Sequence, residues 1–293
     1  MVERDPAFSD MGGKTCVVTG GTSGIGAVAA EGLASAGARV LLVGRNPERC
    51  EATVHRIKNA TGNDQVEAIV ADLSSMREVR RVAEEIRDRS TRLDVLLNNA
   101  GAMFERRRDS VDGLEMTWAL NHLAYFLLTN LLVDRLTASV PARVVSVASD
   151  AHRMASGIDF DDPLATKRYG MMRAYAQSKL ANVQFSAELA RRLEGQGVTS
   201  NALHPGFVVT SFFDGKGWAG PLMKLAARAT GVSAQTGAQT SLYLASSPEL
   251  DGVTGRYFYR RRAVEPSRAS QDVEAAARLW RLSEEMTGLV AKS

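Results

Sequence analysis

Cysteine is nearly absent from the chain. Two residues in 293, Cys16 in an apolar run and Cys50 in a stretch of helical period with charged neighbours, exclude a disulfide framework and suit a reducing compartment. No apolar stretch approaches the roughly 20 residues that cross a bilayer. The first ten residues, M-V-E-R-D-P-A-F-S-D, have no apolar core of the signal-peptide kind, so a soluble, cytoplasmic protein without a membrane span is expected. Neither sign of charge dominates at a net +3. The two short basic runs, 106–108 and 260–262, lack the interleaved aromatics of a nucleic-acid surface and read as solvated loops. His55 and His122 have no Cys, His or carboxylate at ligand spacing, so no metal is expected. Repeats, low-complexity tracts and linkers rich in Gly, Pro or Ser are missing as well. That leaves one domain over residues 1–293, with residues 1–12 as a flexible or loosely packed arm.

What is present is an alternation of two periods. T-C-V-V-T-G, R-V-L-L-V-G, V-E-A-I-V-A-D, L-D-V-L-L-N-N-A-G, A-R-V-V-S-V-A-S and T-S-N-A-L-H-P-G read as strands, each closing on a turn signal. Helical periods fall between them, over Ile25 to Ala36, Pro47 to Ala60, Ser75 to Arg89, Val111 to Leu136 and Tyr169 to Leu193. A late strand, G-R-Y-F-Y, and a helix around Arg278 to Met286 extend one edge. Strands alternating with helices in this way predict an α/β fold, a doubly wound parallel sheet of the Rossmann type covered on both faces. Ligands of such sheets bind outside the carboxyl ends of the strands. Two irregular stretches, 150–168 and 211–231, follow such ends and are expected to form a substrate pocket and its lid.

T-G-G-T-S-G-I-G, Thr19 to Gly26, joins the first strand to the first helix. Gly20, Gly24 and Gly26 allow a tight turn and a close approach to a pyrophosphate, whose charge the helix amino terminus stabilises. At the end of the second strand a carboxylate would select NAD by bonding the ribose hydroxyls. Gly44 and Arg45 stand there instead, and a guanidinium clamps a phosphate, so NADP(H) is the expected cofactor. Further on, A-Y-A-Q-S-K puts Tyr175 and Lys179 one turn apart on a helix face. Alone, such a pair is most often a half-buried phenol beside a solvated ammonium.

Taken together, the glycine turn, N-N-A-G at Asn98 to Gly101, Ser149 after the fifth strand and Y-A-Q-S-K resemble the short-chain dehydrogenase/reductase family. N-H-L-A-Y-F-L-L-T, L-H-P-G, G-A-Q-T-S-L-Y and R-L-W-R-L-S-E-E-M-T-G-L look more narrowly like its retinol dehydrogenase branch. The resemblance implies Tyr175 as acid/base, Lys179 as its partner, Ser149 as the hydroxyl on the substrate oxygen and Asn121 as support of a proton-relay water. Ser146 is a rival to Ser149, because the segment reads S-V-A-S. For the cofactor it implies Thr22, Ser23 and Ile25 beside the glycines, Asp72 and Leu73 at the adenine, and Asn98, Ala100 and Gly101 on the adjoining loop. Pro205, Gly206, Val208 and Thr210 would hold the nicotinamide end, with Tyr175 and Lys179 at its ribose. A homodimer or homotetramer through paired helices is also implied, though no feature of the sequence decides it.

The chemistry explains the pair. A free phenol ionises near pH 10, and an ammonium nearby is expected to bring that down toward neutrality while Ser149 meets the charge developing on the substrate oxygen. The expected reaction is hydride transfer between NADP(H) and a carbonyl or alcohol. Reduction of an activated C=C or C=N bond and a non-catalytic NADP sensor are the alternatives. Met103, Phe104, Met154, Met172, Phe207, Phe212, Phe213 and Trp218, with His152, fall in loops after strand ends or beside the catalytic helix, and predict a pocket for a bulky, apolar small molecule. No nucleophile elbow surrounds Ser149, so His152 is expected to line the pocket or lie on the surface rather than serve a hydrolase. His204 is expected to be structural.

Overall fold

Along β1 (Thr15–Thr19) and β2 (Arg39–Gly44), Cys16, Val18 and Leu42 enter one apolar cluster while Val17, Leu41 and Val43 enter another, and all six are wholly buried. Successive side chains of a strand face opposite ways, so a strand buried on both faces must be apolar throughout. That is why these runs do not alternate with polar residues. The computed structural model describes residues 10–206 and 233–289. β3 (Val66–Val70), β4 (Val95–Asn98), β5 (Ala142–Val147), β6 (Val198–His204), β7 (Tyr257–Tyr259) and β8 (Arg262–Ala263) complete one sheet, in the order β3-β2-β1-β4-β5-β6-β7-β8. Every pairing is parallel except β7 with β8. The short antiparallel β8 has no signal in the sequence reading.

The helices divide between the two faces. α1 (Gly24–Ser35), α2 (Pro47–Thr61) and α7 (Ala234–Ser246) cover one; α3 (Met76–Arg89), α5 (Ala124–Thr137), α6 (Met171–Arg192) and α8 (Val273–Thr287) cover the other. α8 begins earlier than the predicted helix around Arg278, on an Asp272 cap whose carboxylate accepts from the Ala275 N–H at 2.9 Å. Its Trp280 packs edge-on to Phe126 and stacks on Phe185, with ring centroids at 4.9 and 5.8 Å. At the other end of the chain, Met11 is buried and its N–H donates to the Ala36 carbonyl at 2.8 Å. The expected loose arm is therefore already anchored at that residue.

The largest departure concerns the helix expected from Val111. It starts as a short α4 (Met116–Trp118), passes through a π turn at Ala119–Leu123 and continues as α5. Gly113 adopts φ 73° in the turn before it, a conformation open to glycine, and ends any helical path from Val111. Glu115 then caps the new start, its carboxylate accepting from the N–H groups of Thr117 and Trp118 at 2.9 and 2.8 Å. The expected lid, 211–231, lies outside the described residues.

Candidate active site

The strand order reverses between β1 and β4, which opens a crevice at their carboxyl ends. The glycine turn enters it from β1. Gly20 has φ 66°, and a Cβ on Gly26 would sit 2.3 Å from the Gly20 carbonyl oxygen, so neither position tolerates a side chain. Thr22 and Ser23 complete the turn, and Gly24, Ile25 and Gly26 form the first turn of α1. Ser23 is at the cap position, yet no side chain caps the helix and no acid lies in its first turn. The exposed N–H groups are thus left for an anion.

The loop after β4 is stitched to this turn. Thr19 Oγ1 accepts from the N–H groups of Asn99 and Ala100 at 2.8 and 3.0 Å, and the Asn99 amide donates to the Thr19 carbonyl at 2.8 Å. Sequence reasoning missed both Thr19 and Asn99. It had put Asn98 on the cofactor loop, but Asn98 is wholly buried and its amide donates inward to Thr129 at 2.9 Å. Strand alternation is the reason: the last residue of β4 points into the core and its neighbour into the crevice. Ala100 and Gly101 follow in the same loop. Arg45 and Asp72 are exposed at the ends of β2 and β3, next to buried Leu73; Asp72 accepts from the Ser74 N–H and hydroxyl at 3.0 and 2.8 Å. Pro205 and Gly206 follow β6. Phe207, Val208, Thr210, Phe212, Phe213 and Trp218 lie outside the described residues.

The reactive groups converge from three elements. α6 brings Tyr175 and Lys179, both buried. Ser149 follows β5, accepts from the Ala151 N–H at 3.2 Å and is hydrogen-bonded to the Tyr175 phenol. Ser146, its rival, is wholly buried inside β5. The π turn delivers Asn121, whose Oδ1 accepts from the Ala102 N–H at 2.9 Å and whose Nδ2 donates to the Ala102 carbonyl and Ser178 Oγ at 3.0 and 3.1 Å. Lys179 Nζ donates to the Val147 carbonyl at 2.9 Å and lies 5.6 Å from the centre of the Tyr175 ring.

Burial governs both titrations. It pushes the Tyr175 phenol up to about 12, against the pull of the Ser149 hydrogen bond. The same desolvation brings Lys179 down to about 7. The expected lowering of the phenol by the ammonium is not seen in this geometry: burial penalises each charged form, and the hydrogen bond from Ser149 is what pulls the phenol down.

Of the expected pocket residues, Met103 and Phe104 are buried, whereas Met154 and Met172 are 66% and 41% exposed. His152 corrects the sequence reading outright, being wholly buried. Its Nδ1 donates to the Ser149 carbonyl at 2.7 Å while Nε2 accepts from the Ser267 N–H at 3.0 Å, so the ring clamps the Ser149 turn to the loop before α8. His204 accepts from the Asp150 N–H at 3.2 Å and stacks on Tyr259.

Residues 14–217 match the short chain dehydrogenase family. The chain belongs to this family. Human retinol dehydrogenase 13 is 42% identical to it, over 98% of this chain and 88% of that protein. Among solved structures, an uncharacterised protein from Mycobacterium paratuberculosis superposes with a TM-score of 0.78 at 35% identity, covering 96% of each chain. RhlG of Pseudomonas aeruginosa, solved as an active-site complex with NADP, has a TM-score of 0.70 at 31% identity over 87% of this chain and 96% of its own. As a short-chain dehydrogenase the protein is an oxidoreductase that uses a nicotinamide cofactor. Among the described residues, no helix is long and apolar enough to cross a membrane.

Proposed function

We propose that this short-chain dehydrogenase transfers hydride reversibly between NADP(H) and the carbonyl or alcohol carbon of a bulky, apolar small molecule. The observation that carries the reading is the meeting of Ser149, Tyr175 and Lys179 in one buried site beside the uncapped amino terminus of α1. The residues fit a dinucleotide. Backbone at Gly20 and Gly26 leaves room for a pyrophosphate, and Arg45 offers an exposed guanidinium to a 2′-phosphate. An acid at position 44 would need a Cβ 2.4 Å from Thr22 Cγ2 and 2.8 Å from Cys50 Sγ, so the carboxylate that would favour NAD has no space there. Retinol, the substrate in the name of the human relative, is itself bulky and apolar.

When bound, the nicotinamide would supply or accept the hydride. In reduction, Tyr175 gives its proton to the substrate oxygen, and the high phenol pKa suits it to that direction. Ser149 Oγ accepts from the Ala151 N–H, and its own hydrogen, turned toward the Tyr175 phenol in the free site, would swing to the same oxygen as negative charge develops there. Lys179 would hold the ribose and, when charged, favour the phenolate needed for alcohol oxidation. Asn121 ties the Ala102 loop to Ser178 and so fixes the wall between cofactor and catalytic helix.

Turnover of polycyclic and long-chain ketones against pyruvate, followed by NADPH oxidation, tests the substrate class; comparable rates would overturn it. Tyr175→Phe tests the chemistry. Its turnover should fall by about 100-fold or more, while NADPH binding, measured by fluorescence, stays close to that of the wild type. Retained activity would remove Tyr175 from its role.

A further inference from the structure

Among the described residues, three polar atoms at the floor of the site have no hydrogen-bond partner: Tyr125 OH, Ser146 Oγ and Asn98 Oδ1. All three residues are at most 1% exposed. They are neighbours by construction. Asn98 and Ser146 are paired in register on β4 and β5, so their side chains leave the sheet side by side on one face. That face looks toward α5, where Thr129 Oγ1 accepts from the Asn98 amide at 2.9 Å. Tyr125 stands one turn before Thr129 on the same helix face. From α6, Lys179 reaches across the Tyr125 ring, with Nζ 5.9 Å from its centre, to the carbonyl of Val147, the residue after Ser146.

A buried polar atom left dry destabilises a fold, and several converging on one point are the usual setting of an internal water. We propose that Tyr125, Ser146 and Asn98 hold one such water beneath Lys179, and that Tyr125 is thereby a positioning residue for the lysine. The water's own two donors and two acceptors are all used. The water accepts from the Tyr125 hydroxyl and from Lys179 Nζ, and it donates to Asn98 Oδ1 and Ser146 Oγ. The site is distinct from Asn121, whose amide is committed to Ala102 and Ser178. Among the described residues, the titratable groups facing Lys179 are Tyr175 on its own helix and Tyr125 on α5. Neither supplies a negative charge at neutral pH, so a hydrogen-bonded water is what favours the ammonium there.

The inference rests on the assignment of Lys179 to the cofactor, and its first test does not. A crystal structure resolving ordered solvent should show a water within hydrogen-bond distance of Tyr125 OH, Ser146 Oγ and Asn98 Oδ1; a dry floor would overturn the proposal whatever Tyr175 does. The second test follows NADPH affinity by fluorescence from about pH 5 upward. In the wild type, affinity falls as Lys179 loses its proton, and Lys179→Met removes that dependence. Tyr125→Phe should move the midpoint down by about one pH unit, equivalent to a tenfold change in the lysine's proton affinity, without lowering the melting temperature. Ser146→Ala reaches the same water from the sheet and should shift the midpoint in the same direction. It decides the matter if the tyrosine variant does not fold. Midpoints equal to that of the wild type in both variants would show the hydroxyls to be packing only.

Discussion

Arg45 stands exposed at the end of β2 and, among the described residues, has no part in the ion pairs that tie up arginines elsewhere on the surface. A charge-assisted hydrogen bond to a 2′-phosphate contributes about 1.5–3 kcal/mol, so Arg45→Ala should raise the dissociation constant of NADPH roughly tenfold or more. NADH carries no such phosphate and should bind the variant as it binds the wild type. Fluorescence titration of both proteins with both cofactors checks this, and an unchanged NADPH constant would make Arg45 a surface charge. Substitution at Gly44 is a poor test, because its Cβ would strike Thr22 and Cys50. At this scale the sequence showed which residues would share a place in the fold where spacing fixes it, as with Tyr175 and Lys179 on α6 and the glycines of the first turn. It was unreadable where two candidates sit side by side. Asn98 is the last residue of β4 and Asn99 the first of the loop after it, and that one-residue step turns one side chain into the core and the other toward Thr19. His152 was hidden for a related reason: its partners, Ser149 O and Ser267 N, are backbone atoms that leave no pattern in side-chain chemistry.

Elements were legible wherever hydrophobic period and cap agreed. α2 begins on Asn46, whose side chain accepts from the Arg49 N–H, and ends on left-handed Gly62, as the sequence pattern requires. The α4–π–α5 unit was not legible, because its apolar period continues through the π turn and the local signal for the interruption is weak. A π turn adds a residue to the helical path and is frequent at functional sites; here it delivers Asn121. Glu115 sets where that unit starts, holding two backbone N–H groups and the Thr117 hydroxyl. Glu115→Ala strands these buried donors, at a cost of about 1–3 kcal/mol, so the melting temperature should drop by roughly 5 °C. Turnover should fall with it as Asn121 loses its setting. Glu115→Gln keeps one acceptor oxygen and should lie between. Circular dichroism melts of the three proteins check the order, and an unshifted Glu115→Ala melt would deny the cap its role.

Over the whole molecule the sheet's second face is closed by α8, and His122 is the polar joint in that closure. It is wholly buried in the π turn, with Nε2 2.9 Å from Ser283 Oγ on α8 and Nδ1 3.4 Å from Asn182 Oδ1 on α6. Asn182 in turn donates to the Asn121 carbonyl at 2.9 Å. Burial lowers the His122 pKa to about 4, against about 6.5 in an unfolded chain. Between these values the unfolded chain binds a proton that the folded one refuses, so stability rises with pH across the interval. It is complete above about pH 6.5 and is lost on acidification, until near pH 4 the folded histidine protonates too. The interval is worth about 3 kcal/mol. His152 and His204 are lowered by burial in the same direction and add to the slope. His122→Gln should therefore melt lower at pH 7, through lost ring packing against Trp118 and Phe185, yet lose less on going to pH 4.5. Chemical denaturation of both proteins at half-unit steps of pH measures the slope independently of the height. Parallel curves would mean that His122 titrates no differently in the folded protein than in the unfolded chain.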